Sequence, residues 1–266
     1  PRTHPASPAL RRARRRERVV KEFRDDAFVL RTYKSGEADR VVVLYTKEHG
    51  KVRVLAKGAR KPSSRLGATL ETLGAVRVDV VKSRGAFYVA RHVQHLDALR
   101  TLRSSYARIS AGYAVVEVVD AIPAEETADE AIFELLARVL TTLNDARFHP
   151  ELVPASFYLR LLALDGSAPV LDECVLCGSP GPLVAFDAVA GGALCASDRR
   201  GIALSHDALT LLQRITGGDL AGVLSETDAP GTGEVMALTQ EAIENHFGRR
   251  LRAPRATAPV APLLDH

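Results

Sequence analysis

Between Asp25 and Gln94 apolar and polar residues alternate over short stretches separated by turn residues, and after Asp97 the apolar spacing changes to three and four. Ala27–Tyr33 predicts a first strand closed by Lys34-Ser35-Gly36, and the β-branched run Arg40–Thr46 a second. Glu48-His49-Gly50 is a hairpin turn into Lys51–Lys57. In that third strand Val52, Val54 and Ala56 face one way while Lys51, Arg53, Leu55 and Lys57 face the other, so one face is apolar and the other mostly cationic. Gly58–Gly67 reads as a basic loop, Thr69–Val81 as a fourth strand, and Ala86–Val93 as a fifth after the turn Ser83-Arg84-Gly85. Five strands in this span predict a small barrel of the OB type, with an SH3-like barrel as the nearest alternative.

Leu99, Leu102, Tyr106, Ile109, Tyr113 and Val116 follow helical spacing and predict one long amphipathic helix to about Val119. Thr127–Leu143 predicts a second, opened by a capping box of Thr127 and Glu130. Leu152–Leu164, stopped by Asp165-Gly166, is a third, and Ser205–Ile215 and Glu234–Phe247 add two more, the last ending at Gly248. The fold class expected is therefore α+β and multidomain: a barrel over 24–97 and a helical body over 98–165 and 202–249, interrupted by an irregular segment, 166–201. Residues 1–23 and 250–266 are expected to be tails, the first arginine-rich and the second rich in Ala and Pro.

Charge sharpens this division. Residues 1–100 hold 24 Lys and Arg against 10 Asp and Glu, whereas residues 101–266 hold 12 against 22. Without the arginine-rich tail, residues 25–100 still carry 15 basic and 8 acidic residues, so the barrel itself should attract a polyanion. Lys51, Arg53, Lys57, Arg60, Lys61 and Arg65 lie on one strand and the loop it feeds, and can line a groove that follows phosphates. Lys34, Arg40, Arg77, Arg84 and Arg91 can widen that groove. Tyr33, Tyr45, Phe87 and Tyr88 are the aromatics available for stacking on bases, so backbone electrostatics should dominate and sequence preference should be weak.

The three cysteines occupy the irregular segment. Cys174-x-x-Cys177 is followed after seventeen residues by Cys195-x-x-Asp198, which matches a four-ligand zinc spacing except at the last position. Leu183–Phe186 reads as a strand of a zinc-ribbon hairpin, and Asp198 can complete three thiolates with a carboxylate. A ribbon held by packing without metal is the alternative, and His206 is a substitute ligand unless it opens the next helix. No Glu or His stands where an activated water would need it, so the role expected is structural.

Asp39-Arg40, Val43-Leu44-Tyr45-Thr46, His49-Gly50 and the loop Ala56-Lys57-Gly58-Ala59-Arg60-Lys61-Pro62-Ser63-Ser64-Arg65 resemble the bacterial DNA repair and recombination mediators of the RecO family. The order of barrel, helical body and Cys-x-x-Cys ribbon is similar to that family over about residues 24–250. The resemblance implies binding of single- and double-stranded DNA, annealing of complementary strands, and action with RecR to displace single-stranded DNA-binding protein and help load RecA. It implies no nucleotide cofactor and a cytoplasmic, nucleoid-associated place. Asp198 departs from the pattern, standing where zinc-binding members carry a fourth cysteine.

Other classes find less support. Gly191-Gly192 and Gly217-Gly218 lack the lysine and spacing of a phosphate loop, and neither a G-x-S-x-G elbow nor an H-E-x-x-H helix occurs. The expectation is thus of no enzyme. Asp25-Asp26 reads as a pair of solvated acids, and His92 with His95 as ordinary surface or packing histidines. No apolar run reaches the roughly 18 residues of a membrane span, and three cysteines make no closed disulfide framework, which favours a reducing compartment. A basic OB module that binds RNA or serves translation is the alternative function.

Overall fold

The computed structural model describes residues 22–83, 85–123 and 128–252. Five strands, β1 (Glu22–Ser35), β2 (Asp39–Thr46), β3 (Gly50–Ala56), β4 (Ala75–Lys82) and β5 (Tyr88–Asp97), close into a barrel in the order β1-β2-β3-β5-β4. All neighbours are antiparallel except β3 and β5, which run parallel. This is the OB-type barrel that the alternation predicts. Ala27, Val29, Val42, Leu44, Val52, Val54, Val76 and Val78 fill its interior.

The strand boundaries depart from expectation in two places. β1 starts at Glu22, inside the expected tail, because Glu22 and Phe23 pair with Val81 and Val80. A bulge between Val29 and Arg31 then bends this 14-residue strand so that it serves both neighbours. Thr69 does not begin a strand: Arg65–Thr69 forms a short helix, α1, and β4 starts six residues later. Leu70 after α1 plugs the barrel core, while Leu73, at φ 69°, points into the helical body. Two buried leucines three apart on a turn imitate a strand in sequence but serve different cores.

Asp25 is not a solvated acid, and Asp26 is only partly exposed. The Asp25 carboxylate is buried and accepts from the backbone N–H of Asp26 (2.8 Å) and Glu48 (2.9 Å), and lies 2.9 Å from Nδ1 of His49. His49 in turn stacks on Phe23, 3.8 Å between centroids. Asp26 takes both guanidinium arms of Arg77, whose hydrogen bonds hold its carboxyl below the usual carboxylate range. These acids tie β1 to the β2–β3 turn and to β4. His92 and His95 are exposed on β5.

The helical body comprises α2 (Arg100–Arg103), α3 (Tyr106–Ala121), α4 (Glu130–Asn144), α5 (Val153–Leu164), α6 (His206–Thr216), α7 (Leu220–Ser225) and α8 (Thr232–Phe247). The expected single helix over 99–119 is two, because the chain leaves helical geometry at Ser105, φ −133°. Thr127 lies outside the described residues, and the cap of α4 is Asp129, which accepts from the N–H of Ala131 and Ile132. Asp129→Ala should therefore cost about 1 kcal/mol in thermal or denaturant unfolding; an unchanged midpoint would remove the cap from the account. α7 has no counterpart among the elements the sequence predicts, its six residues being too few for a periodic signal.

Barrel and body share one core. Phe28, Leu30, Val43, Tyr45, Leu73 and Ala75, all on the barrel's outer side, pack with Val115, Val119, Phe133 and Leu136 of the helices. Gly112 of α3 is part of this fit, since a Cβ there would stand 2.9 Å from Cδ1 of Leu73. The ribbon joins the same core through Ala185, Phe186 and Leu194, on β6 (Leu183–Asp187) and β7 (Gly192–Cys195), which with β8 (Ile202–Ala203) form a three-stranded sheet.

Candidate nucleic-acid interface and metal centre

The predicted cations fall into two groups. At one mouth of the barrel, Lys34 pairs in register with Arg40, and Arg40 with Ala56, directly before Lys57. Arg60 donates to the carbonyls of Gly36 (3.1 Å) and Glu37 (2.9 Å), and its own N–H to Ala38 (2.9 Å). Gly58 N–H donates to Asp39 Oδ1 (2.7 Å), so the β1–β2 turn and the 57–64 loop are stitched together. Gly36 and Gly58 permit the approach, with φ of 59° and 66°. Lys34, Lys57, Arg60 and Lys61 are exposed there; Arg40 reaches back to the carbonyl of Gly67, and Arg65 opens α1. The mouth is thus cationic and held together by hydrogen bonds, a surface suited to phosphates.

Lys51 and Arg53 lie farther along β3, on its outer face as the alternation predicts. Arg53 is exposed. The Lys51 ammonium, by contrast, donates to the carbonyls of Asp120 (2.7 Å) and Ile122 at the C-terminal end of α3. Burial lowers its pKa, with Asp120 opposing. Three donors facing the negative end of a helix dipole complete that end of α3. Arg31, which sequence reasoning passed over, adds an ion pair to Asp120 at 3.4 Å. Lys51→Met should cost about 1–3 kcal/mol of stability by orphaning the two carbonyls, read by chemical denaturation. Intact stability would place the ammonium in solvent.

The candidate stacking aromatics also divide. Tyr45 is buried, its hydroxyl pushed up to about 12 by burial, and it is unavailable to bases. Tyr33 is exposed with the Arg31 guanidinium 5.8 Å from its ring centroid, and Tyr88 sits edge-on to Phe23 under Lys82. Arg77 is held by Asp26 and Arg91 lies 3.8 Å from Glu22, while Arg84 is outside the described residues.

The segment 166–201 brings Cys174, Cys177, Cys195 and Asp198 together, with all ligand atoms within 4.8 Å of one another. The Sγ atoms of Cys177 and Cys195 are 3.7 Å apart, and Asp198 Oδ2 lies 3.3 Å from Cys174 Sγ and 3.4 Å from Cys195 Sγ. A tetrahedron built on zinc–sulfur and zinc–oxygen bonds has edges of about 3.8 Å between sulfurs and about 3.5 Å from sulfur to oxygen. The donor set fits such an ion. The first knuckle is shaped by hydrogen bonds from Gly178 N–H to the Cys174 carbonyl (2.8 Å) and from Cys174 N–H to Ser179 (2.7 Å), with Gly178 at φ 71°.

In the protonated cluster the thiols, Cys177 foremost, donate to Asp198 and hold its carboxyl below the usual range, while that bond pushes the Cys177 thiol up to about 12. An ion would replace those protons. Cys174 and Cys195 are buried and Cys177 exposed. His206 is no ligand: it lies at the first position of α6, behind the Ser205 cap.

Comparison with known proteins matches this architecture in order. A family model described as Recombination protein O N terminal covers residues 20–97, and one described as Recombination protein O C terminal covers 103–255. DNA repair protein RecO of Streptomyces griseus is 36% identical over 244 residues, 88% of this chain and 97% of that protein. Its counterpart from Streptomyces coelicolor is 35% identical with the same coverage, and that of Streptomyces avermitilis is 38% identical over 208 residues, 74% of this chain and 83% of the relative. Barrel, helical body and cysteine segment all fall within these matches, and the chain belongs to the RecO family of DNA repair proteins.

Proposed function

We propose that this protein is a non-enzymatic recombination mediator that binds single- and double-stranded DNA at the cationic barrel mouth and anneals complementary strands. In this reading it works with RecR to help load RecA onto DNA coated by single-stranded DNA-binding protein, in the nucleoid of the cytoplasm. The observation that carries it is the clustering of Lys34, Lys57, Arg60 and Lys61 on one stitched mouth. Lys51 is assigned to the joint between barrel and body; Arg53, Arg40 and Arg65 border the phosphate path. Residues 24–97 act as the DNA-binding unit, the body of 98–165 and 202–249 as its support, and 166–201 as a ribbon whose Cys174, Cys177, Cys195 and Asp198 hold a structural zinc.

The reading is tested by mixing complementary oligonucleotides with the full chain in the absence of ATP. Pairing should be accelerated several-fold, and acceleration should fall steeply with salt because the contacts are to phosphates. Strict dependence on ATP, or preference for RNA over DNA in competition, would favour the alternative of an RNA-binding module.

A further inference from the structure

The helix α3 leaves one face uncovered. Tyr106, Ser110, Tyr113 and Glu117 succeed one another at steps of four, three and four and form a stripe about 16 Å long. Tyr106 is 80% exposed and Tyr113 47%, although rings of this size usually lie mostly buried. Beside the stripe opens a groove of about 590 Å³, to which the start of α5 contributes Leu152 and Pro154. From α3, Ala107, Ser110, Ala111 and Ala114 line it, so protruding rings stand next to a hollow walled by small side chains.

Alternating steps of three and four are the seam of a two-helix coiled coil, where knobs of one helix enter holes of the other. This stripe complements itself when reversed. In an antiparallel, two-fold pair whose axis passes between Ser110 and Tyr113, Tyr113 faces Ser110 of the second copy and Tyr106 faces its Glu117. Large then meets small, and the Tyr113 ring fills the hollow left by Ala107, Ala111 and Ala114. The Tyr106 hydroxyl meets a carboxylate, which can accept its bond alongside the one it takes from the Arg252 N–H (2.6 Å). A parallel pair would instead set ring against ring at Tyr113 and carboxylate against carboxylate at Glu117. An unrelated helix would need small residues and an acceptor at matching positions, which a second copy of this chain already supplies.

We propose that two copies of this chain associate antiparallel through α3, each Tyr113 seated in the groove of the other. On the annealing reading above, on which this consequence alone rests, such a dimer carries two DNA strands at once. The association itself is tested without DNA, so that its failure and that of the DNA reading are told apart. Sedimentation velocity of the full chain from about 1 to about 100 µM should show monomer passing to dimer, with a micromolar midpoint for so small an interface. Tyr106→Ser with Tyr113→Ser, at exposed positions, should leave the melting temperature unchanged and the protein monomeric throughout. A photo-crosslinking benzoylphenylalanine in place of Tyr113 should join two copies, with the link mapped by mass spectrometry to residues 107–114. A wild-type chain that stays monomeric overturns the proposal, and so does a dimer that persists in the folded double variant. If that variant fails to fold, the cross-link decides: a link to any other surface, or none between copies, overturns the proposal equally.

Discussion

If the cluster holds zinc as proposed, Cys174→Ser is expected to abolish stoichiometric zinc binding and to cost the protein much of its stability. Structural zinc contributes about 10–16 kcal/mol of apparent binding free energy in small zinc-binding peptides, comparable with the roughly 5–15 kcal/mol that stabilises a whole protein. Cys174 is 1% exposed and belongs to the main core, so the damage should spread beyond the knuckle. Elemental analysis and calorimetry of the purified protein, before and after chelation, provide the check. Asp198→Cys should act in the opposite sense, completing four thiolates and raising both metal affinity and melting temperature. A protein that carries no zinc and melts unchanged after chelation would reduce the cluster to a packing feature.

The second large effect concerns DNA. Replacing Lys34, Lys57 and Lys61 together with glutamate should weaken binding by about 10- to 100-fold at low salt and make the slope of log affinity against log salt shallower by about 2–3, near 0.7–0.9 per contact. The loss should be equal across sequences, because phosphates carry no base information. These three side chains are exposed, so the fold should survive. Arg60 is a separate case: its change to glutamate also removes two carbonyl partners from the β1–β2 turn. Unaltered affinity in the folded triple variant would move the DNA site off the mouth.

What the sequence made legible was local. The alternation Val52, Val54, Ala56 against Lys51, Arg53, Leu55 follows from strand geometry alone, and β3 shows it residue for residue. Cys174-x-x-Cys177 and Cys195-x-x-Asp198 converge because each turn aims two donors at one point. What escaped depended on distant partners. Lys51 reads as a phosphate ligand until Asp120 and Ile122, 69 and 71 residues later, arrive at its ammonium. Asp25 reads as solvated because its partners at Glu48 and His49 lie across a strand pair that no periodicity announces. Charge type was visible along the chain, but the availability of each charge was decided by packing.

The shared core between barrel and body has a consequence for biosynthesis. A ribosome completes β5 at Asp97, yet Phe28, Leu30, Val43 and Tyr45 on the barrel's outer side remain uncovered until α3 and α4 have emerged, the latter ending at Asn144. At about 5–20 residues per second this leaves an apolar barrel face in water for roughly 2–10 s on every nascent chain. During that interval the half-made protein presents the kind of apolar surface that invites aggregation, and a translational pause between Asp97 and Asn144 would lengthen its exposure.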